Sequence, residues 1–150
     1  MKMGDPEKKY HVPVLLNETI AILKVSKGKW YVDATAGGGG HTEKILAAGA
    51  KVLAIDEDPD AIAELNRTLE SEIRNRNLIV RKGNFSQITK LLNEENIEDV
   101  AGVLFDLGIS THQIDDSGRG FSYTRDEPLD MRFTTTGISA EEIINTYSEE

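Results

Sequence analysis

Residues 30 to 42 read WYVDATAGGGGHT, an apolar run that passes into four consecutive glycines and then into a helix-forming stretch. Only residues without a Cβ let a backbone turn this tightly and come close to a bound molecule. The helix that follows leaves its first N–H groups unpaired at the lip of the turn. A strand, a glycine turn and a helix start therefore predict a ligand cradle. Asp56 closes the next apolar run, residues 51–55, and stands 23 positions after Asp33. One βαβ unit needs about that separation to set an acid beside a nucleotide ribose. The pattern points to an adenosine-type cofactor, with a glycine-rich turn of no function as the alternative.

The details of the turn choose among such ligands. Thr42 stands where the dinucleotide fingerprint has its third glycine, and His41 and Thr42 follow the glycines where a P-loop has Lys-Ser/Thr; the first lysine, Lys44, comes two positions too late. A pyrophosphate ligand fits poorly. S-adenosylmethionine has a ribose, an adenine and an amino-acid tail without phosphate, so a glycine loop and an acid suffice for it.

The rest of the chain supplies a sheet to carry this turn. Leu16, Ile20 and Leu23 are spaced as in a short amphipathic helix over residues 13–23, which would cover one edge or face of the sheet. Residues 42–48 form a two-turn helix that stops at Gly49. Asp58-Pro59 reads as N-cap and first helical position of a long helix carrying Ile62, Leu65, Leu69 and Ile73. Residues 78–80 make a third strand ending at Gly83-Asn84-Phe85, a helix with Ile88, Leu91 and Leu92 follows, and residues 100–105 make a fourth strand. This βαβαβαβ alternation predicts an α/β fold, a Rossmann-like parallel sheet with right-handed crossovers. Asp33, Asp56, the turn at 83–85 and Asp106 each end a strand, so they should converge on one crevice at the carboxyl edge. For Asp56 a helix cap is the other reading, but Asp58 already fills that role and leaves Asp56 for a ribose. Phe85 is either core or a stacking surface for the adenine.

Residues 107–137 contain Gly108, Gly118, Gly120, Pro128 and Gly137 and no sustained period, which predicts a long loop, functional or disordered. Phe121 and Tyr123 could stack on a base, and Gln113 could present its amide to cofactor or substrate; each could equally be local packing. Ser139-Ala140-Glu141-Glu142 is a capping box opening a helix with Ile143, Ile144 and Tyr147, inside which the chain stops. The division expected is a cofactor-binding core over 1–113 and, over 114–150, a loop with the beginning of a helical, substrate-side insertion. A four-stranded sheet and a helix cut at its third turn suggest a truncated fold.

Composition narrows the function classes. The chain's 150 residues make one ordinary domain, and its lack of cysteine excludes disulfides and thiolate metal sites. The three histidines, His11, His41 and His112, have no metal-ligand spacing, so no metal is expected. With no signal-peptide core in the first ten residues and no apolar run of about 18, a soluble cytoplasmic protein without membrane attachment is the default. The net charge of −9 argues against coating nucleic acid by counterion release. Local binding needs only a few arginines, and Arg119, Arg125 and Arg132 lie close together among Asp115, Asp116, Asp126, Glu127 and Asp130. A solvated mixed-charge loop and an RNA contact fit that pattern equally.

Taken in order, His11-Val12-Pro13-Val14, residues 33–41, Asp56, Asn84-Phe85, residues 106–110, Gln113, residues 119–122 and Pro128-Leu129-Asp130-Met131-Arg132 resemble the RsmH (MraW) methyltransferases. That family uses S-adenosylmethionine to form N(4)-methylcytidine in 16S ribosomal RNA. The resemblance implies a class I methyltransferase core and a partner in 16S ribosomal RNA or the small ribosomal subunit. It implies cofactor contacts at Gly39, Gly40, His41, Asp56, Phe85, Asp106 and Gln113. Phe133-Thr134 departs from the Met-Asp common in the family, on the substrate side. Family members are longer, and this chain resembles their amino-terminal half, which makes independent catalysis a separate question from cofactor binding.

Methyl transfer to an exocyclic amine needs the nitrogen lone pair in line with the methyl–sulfonium bond at about 3 to 3.5 Å. Because a cytosine amine is a poor nucleophile, an acceptor drawing on its N–H helps; Asp106 is the catalytic candidate, and a cofactor ligand at the same position is equally compatible. Amino-methyltransferases often place a proline-and-aromatic turn there, whereas Leu107-Gly108-Ile109 follows here. The base would also leave its stack to reach the crevice. Two other classes fit less of the sequence: a non-catalytic nucleotide- or cofactor-binding module, and a nicotinamide dehydrogenase, which the missing third glycine disfavours. The oligomeric state is not legible.

Overall fold

The structure, a computed structural model, describes residues 13–149; His11-Val12 of the motif set lies outside the described residues. Four strands, β1 (Trp30–Asp33), β2 (Lys51–Asp56), β3 (Leu78–Lys82) and β4 (Val100–Leu104), form one parallel sheet in the order β3-β2-β1-β4. The chain winds outward from β1 through β2 to β3, then returns past β1 to lay down β4. This is the expected Rossmann-like α/β fold.

Strand side chains alternate between faces, and a parallel sheet is covered on both, so its strands read as unbroken apolar runs. Tyr31, Val52, Ala54 and Leu78 face one layer, packed with Ile20 and Leu23 of α1 (Leu16–Leu23), Ile45 of α2 (Gly40–Ala47), Leu65 of α3 (Pro59–Thr68), and Leu69 and Ile73. Val32, Leu53 and Ile55 face the other, against Ile88, Leu91 and Leu92 of α5 (Ile88–Glu94). The first helix therefore covers a face of the sheet. Pro13 to Leu15 precede it, Leu15 being left-handed at φ 52°.

Three expectations change. The helix from Pro59 breaks at Leu69 (φ −113°, ψ 25°) into α3 and α4 (Glu70–Arg74). The apolar steps survive the break, because Leu69 and Ile73 still reach the first layer, so periodicity could not reveal it. The segment 107–137 contains α6 (Thr111–Asp115), nucleated by Ser110: its hydroxyl accepts from the Gln113 N–H while the Gln113 side chain accepts from the Ser110 N–H. The expected boundary at 113/114 thus falls within a helix. Finally, α7 (Ala140–Thr146) does not run to the end: Ser139 caps its N-terminus as expected, but Tyr147 is already extended (φ −84°, ψ 147°). Among the described residues no helix is long and apolar enough to cross a membrane.

Leu53 is fully buried on a central strand. Leu53→Ala should lower the unfolding free energy by about 2–5 kcal/mol, read from the urea midpoint at unchanged denaturant slope.

Candidate functional site

Where strand order reverses, between β1 and β4, the loops beyond the carboxyl ends part and leave a crevice. A cavity of about 370 Å³ opens there, within the range of small-molecule sites. Its floor is the turn after β1. That turn is braced on both sides: the Gly37 N–H donates to Asp56 Oδ2 (2.8 Å), and Thr35 Oγ1 accepts from the Asp106 N–H (2.7 Å). The Ala34 and Ala36 N–H groups bond to the carbonyls of Leu104 and Ile55. Loops from three strands are thereby held at fixed spacing.

Two glycines of the run serve different contacts. Gly39, the left-handed N-cap of α2 (φ 85°), is outside the cavity lining; a Cβ there would stand 2.8 Å from Leu65 of α3. Gly40 lines the cavity, and a Cβ on it would collide with Pro13. Of the other candidates, His41, Asp56, Phe85, Asp106 and Gln113 all line the cavity.

Their environments differ. Asp56 is not free as its position beside Asp58 suggested, since its carboxylate also accepts from the Asp58 N–H (2.9 Å). Burial pushes its carboxyl up, with the Asp58 and Gly37 N–H groups opposing. Asp33, beneath the floor, is likewise pushed up by burial, against the hydrogen bond from Thr42 Oγ1 (2.7 Å), the side chain standing at the expected third glycine. For both acids the sign is the same: ionisation costs stability as pH rises from the unfolded carboxylate value through the raised folded one. Asp33 Oδ1 and His41 Nε2 are buried without a hydrogen-bond partner among the described residues. His41 Nδ1 lies 3.7 Å from Asp106 Oδ2, whose side chain is 38% exposed.

Phe85 opens a 3₁₀ turn capped by Asn84, meets Phe105 edge-on at 5.8 Å and remains 43% exposed. The Gly83 N–H bonds to the Asp56 carbonyl, which brings this turn beside the acid. Gln113 is buried; its Nε2 donates to Asp58 Oδ2 (2.8 Å) and its carbonyl caps α6.

Sequence reasoning missed Thr35, Glu57 and Phe133. Glu57 lines the cavity and accepts from the Asn84 amide, and Phe133 forms a wall. Their signals were weak: a second acid after a strand, and an aromatic in an aperiodic segment. Phe133 stacks on Phe121 at 5.4 Å, whereas Tyr123 is fully exposed. The three arginines all make internal contacts: Arg119 with Asp58, Arg125 with the Asp115 carbonyl, and Arg132 with Asp130 (2.6 Å). Their hydrogen bonds tie the segment 115–137 to itself and to Asp58.

A Rossmann-like parallel sheet with a glycine turn and an acid-lined crevice at its switch point defines a protein of the α/β class with a small-molecule crevice at the usual place. The chain belongs to the MraW methylase family, whose model matches residues 8–150. Ribosomal RNA small subunit methyltransferase H of Rhizorhabdus wittichii is 48% identical over 139 residues, covering 93% of this chain and 42% of that protein. The Deinococcus deserti protein of the same name is 44% identical over 144 residues, 96% of this chain and 46% of that one. The chain thus spans less than half the length of these curated relatives. A crystal structure of an rRNA-methylase candidate from Clostridium thermocellum shares the fold at TM-score 0.50 and 24% identity, covering 66% of this chain and 54% of that one.

Arg132 holds the Asp130 carboxyl down at about 2. Asp130 should titrate near that value by side-chain NMR and move up toward the ordinary carboxylate range in Arg132→Gln, which removes the guanidinium but keeps the residue-132 N–H bond to Asp130. Because the folded value is depressed, the pair's contribution is present above the unfolded value and lost as pH falls through the folded one.

Proposed function

We propose that the crevice binds S-adenosylmethionine and that the chain forms the cofactor half of a methyltransferase acting on the exocyclic amine of a cytidine in 16S ribosomal RNA. One observation carries the cofactor: among the described residues lining the cavity, Asp56, Glu57 and Asp106 are acidic and none is lysine or arginine. Such a wall repels a pyrophosphate and favours a cationic, phosphate-free nucleoside. It therefore speaks against the dehydrogenase reading as the missing glycine does. When bound, S-adenosylmethionine supplies a methyl group on positively charged sulfur.

The chain's own residues suit the remaining parts. Asp56, held by two backbone N–H groups, keeps acceptor lone pairs for ribose hydroxyls. The exposed ring of Phe85 offers a flat apolar surface to an adenine. The Gly37-Gly38 turn and Gly40 allow close backbone approach, and His41 sits within the first turn of α2. Asp106, fixed through its own N–H, is the acceptor for a proton of the amine as its nitrogen pyramidalises. Gln113 acts through Asp58 and the α6 cap. The names of the relatives support small-subunit ribosomal RNA as the substrate class; the reading takes the small ribosomal subunit as partner and the cytoplasm as location.

Isothermal titration of the 150-residue chain should show saturable S-adenosylmethionine binding and none with NAD. Asp56→Ala should weaken binding by roughly 10- to 150-fold, the loss of charge-assisted hydrogen bonds worth about 1.5–3 kcal/mol. Asp106→Ala should keep most affinity while abolishing methylation of small subunits; equal loss of both would make Asp106 a cofactor ligand.

A further inference from the structure

Asp58 is a fully buried carboxylate that no single neighbour neutralises by proximity in sequence. Its Oδ1 caps α3 through the Asp60 N–H (3.0 Å), and its Oδ2 accepts from Gln113 Nε2 and from Arg119 Nη2. A buried charge stripped of its partner is strongly unfavourable, so the Arg119 guanidinium is held at this point. That guanidinium is a rigid planar fork. Its Nη1 donates to the carbonyls of Arg132 (3.2 Å) and Phe133 (3.0 Å), and its plane lies over the Phe121 ring at 5.8 Å. On the other side of Asp58, its own N–H holds Asp56 Oδ1. A continuous set of bonds thus runs from the acid of the crevice to the Phe133 wall.

We propose that Arg119 is a positioning residue that couples Asp56 to the Phe133 wall and to the segment behind it. The proposal rests on the cofactor reading above. A ligand that fixes Asp56 fixes Asp58 and hence the fork of Arg119, which orders residues 129–141. Those residues are tied together by the Met131 N–H to the Arg119 carbonyl, the Ala140 N–H to the Asp130 carbonyl and the Glu141 N–H to the Leu129 carbonyl. Coupling is reciprocal: ordering the segment tightens the crevice by the same factor. The substrate-side surface would then form as cofactor binds.

The test combines calorimetry with S-adenosylhomocysteine and amide hydrogen exchange at Met131, Ala140 and Glu141, none of which lines the cavity. In the wild-type chain, bound S-adenosylhomocysteine should slow exchange at all three. Arg119→Gln should bind about tenfold more weakly and lose that slowing. Arg119→Lys should recover only the part of the affinity that comes from pairing an ammonium with Asp58, and neither the slowing nor the affinity coupled to it, because it lacks the fork. Asp58→Asn/Arg119→Gln removes both charges and keeps a helix cap, so it folds even where the single variant does not, and it too should lose the slowing. Ligand-dependent slowing that persists in any of the three variants lacking Arg119, or that is absent from a wild-type chain that binds, overturns the coupling alone. A folded wild-type chain that fails to bind overturns the cofactor reading and the coupling with it.

Discussion

The crevice depends on one loop gripping its two neighbours. The backbone after β1 donates to the side chain that ends β2, at Gly37 and Asp56, and a side chain of the same loop accepts from the backbone after β4, at Thr35 and Asp106. The twist of a parallel sheet rotates neighbouring strands, so the loops beyond their ends point in different directions. Without these cross-braces the loops would have no fixed distance between them. Gly37 and Asp56 also bring the Gly83–Phe85 turn into range, since Gly83 bonds to the same acid's carbonyl.

Three buried or partly buried acids around this loop meet the cost of desolvation differently. Asp33 and Asp56 are shifted toward the protonated form by burial, restrained by hydrogen bonds from Thr42, Gly37 and Asp58. Asp58, with no exposure at all, is paired with an arginine drawn from 61 positions away. The pairing converts an electrostatic demand in the α/β core into an anchor for a segment with little regular structure. Among the described residues, no lysine or arginine lines the crevice beside its acids, which leaves a field that suits a cation.

Much of this was legible in the chain. The apolar runs of β1 to β4, the Asp58-Pro59 cap and the Ser139 cap all have local causes, and local causes leave local signatures. The convergence of Asp56, Phe85 and Asp106 followed from topology, because every parallel strand ends at the same edge. The break at Leu69 was invisible because the apolar side chains on both sides keep the same partners. Helix α6 did carry a signature, Ser110 and Gln113 at capping-box spacing, but its single turn is too short to show a period. The arginines illustrate the opposite case: their clustering is plain, and their partners cannot be read from it.

The sequence by itself determined the strand–glycine–helix unit, the parallel winding and the acids at the strand ends, because each depends on backbone sterics and on the period of apolar residues. Tertiary structure alone decided that Gly39 stands against Leu65 outside the cavity lining, that Asp56 is already held by two N–H groups, and that Arg119 faces Asp58. These are contacts between residues distant in the chain, and they are selected by which buried atoms lack a partner, a condition that exists only once the core has formed.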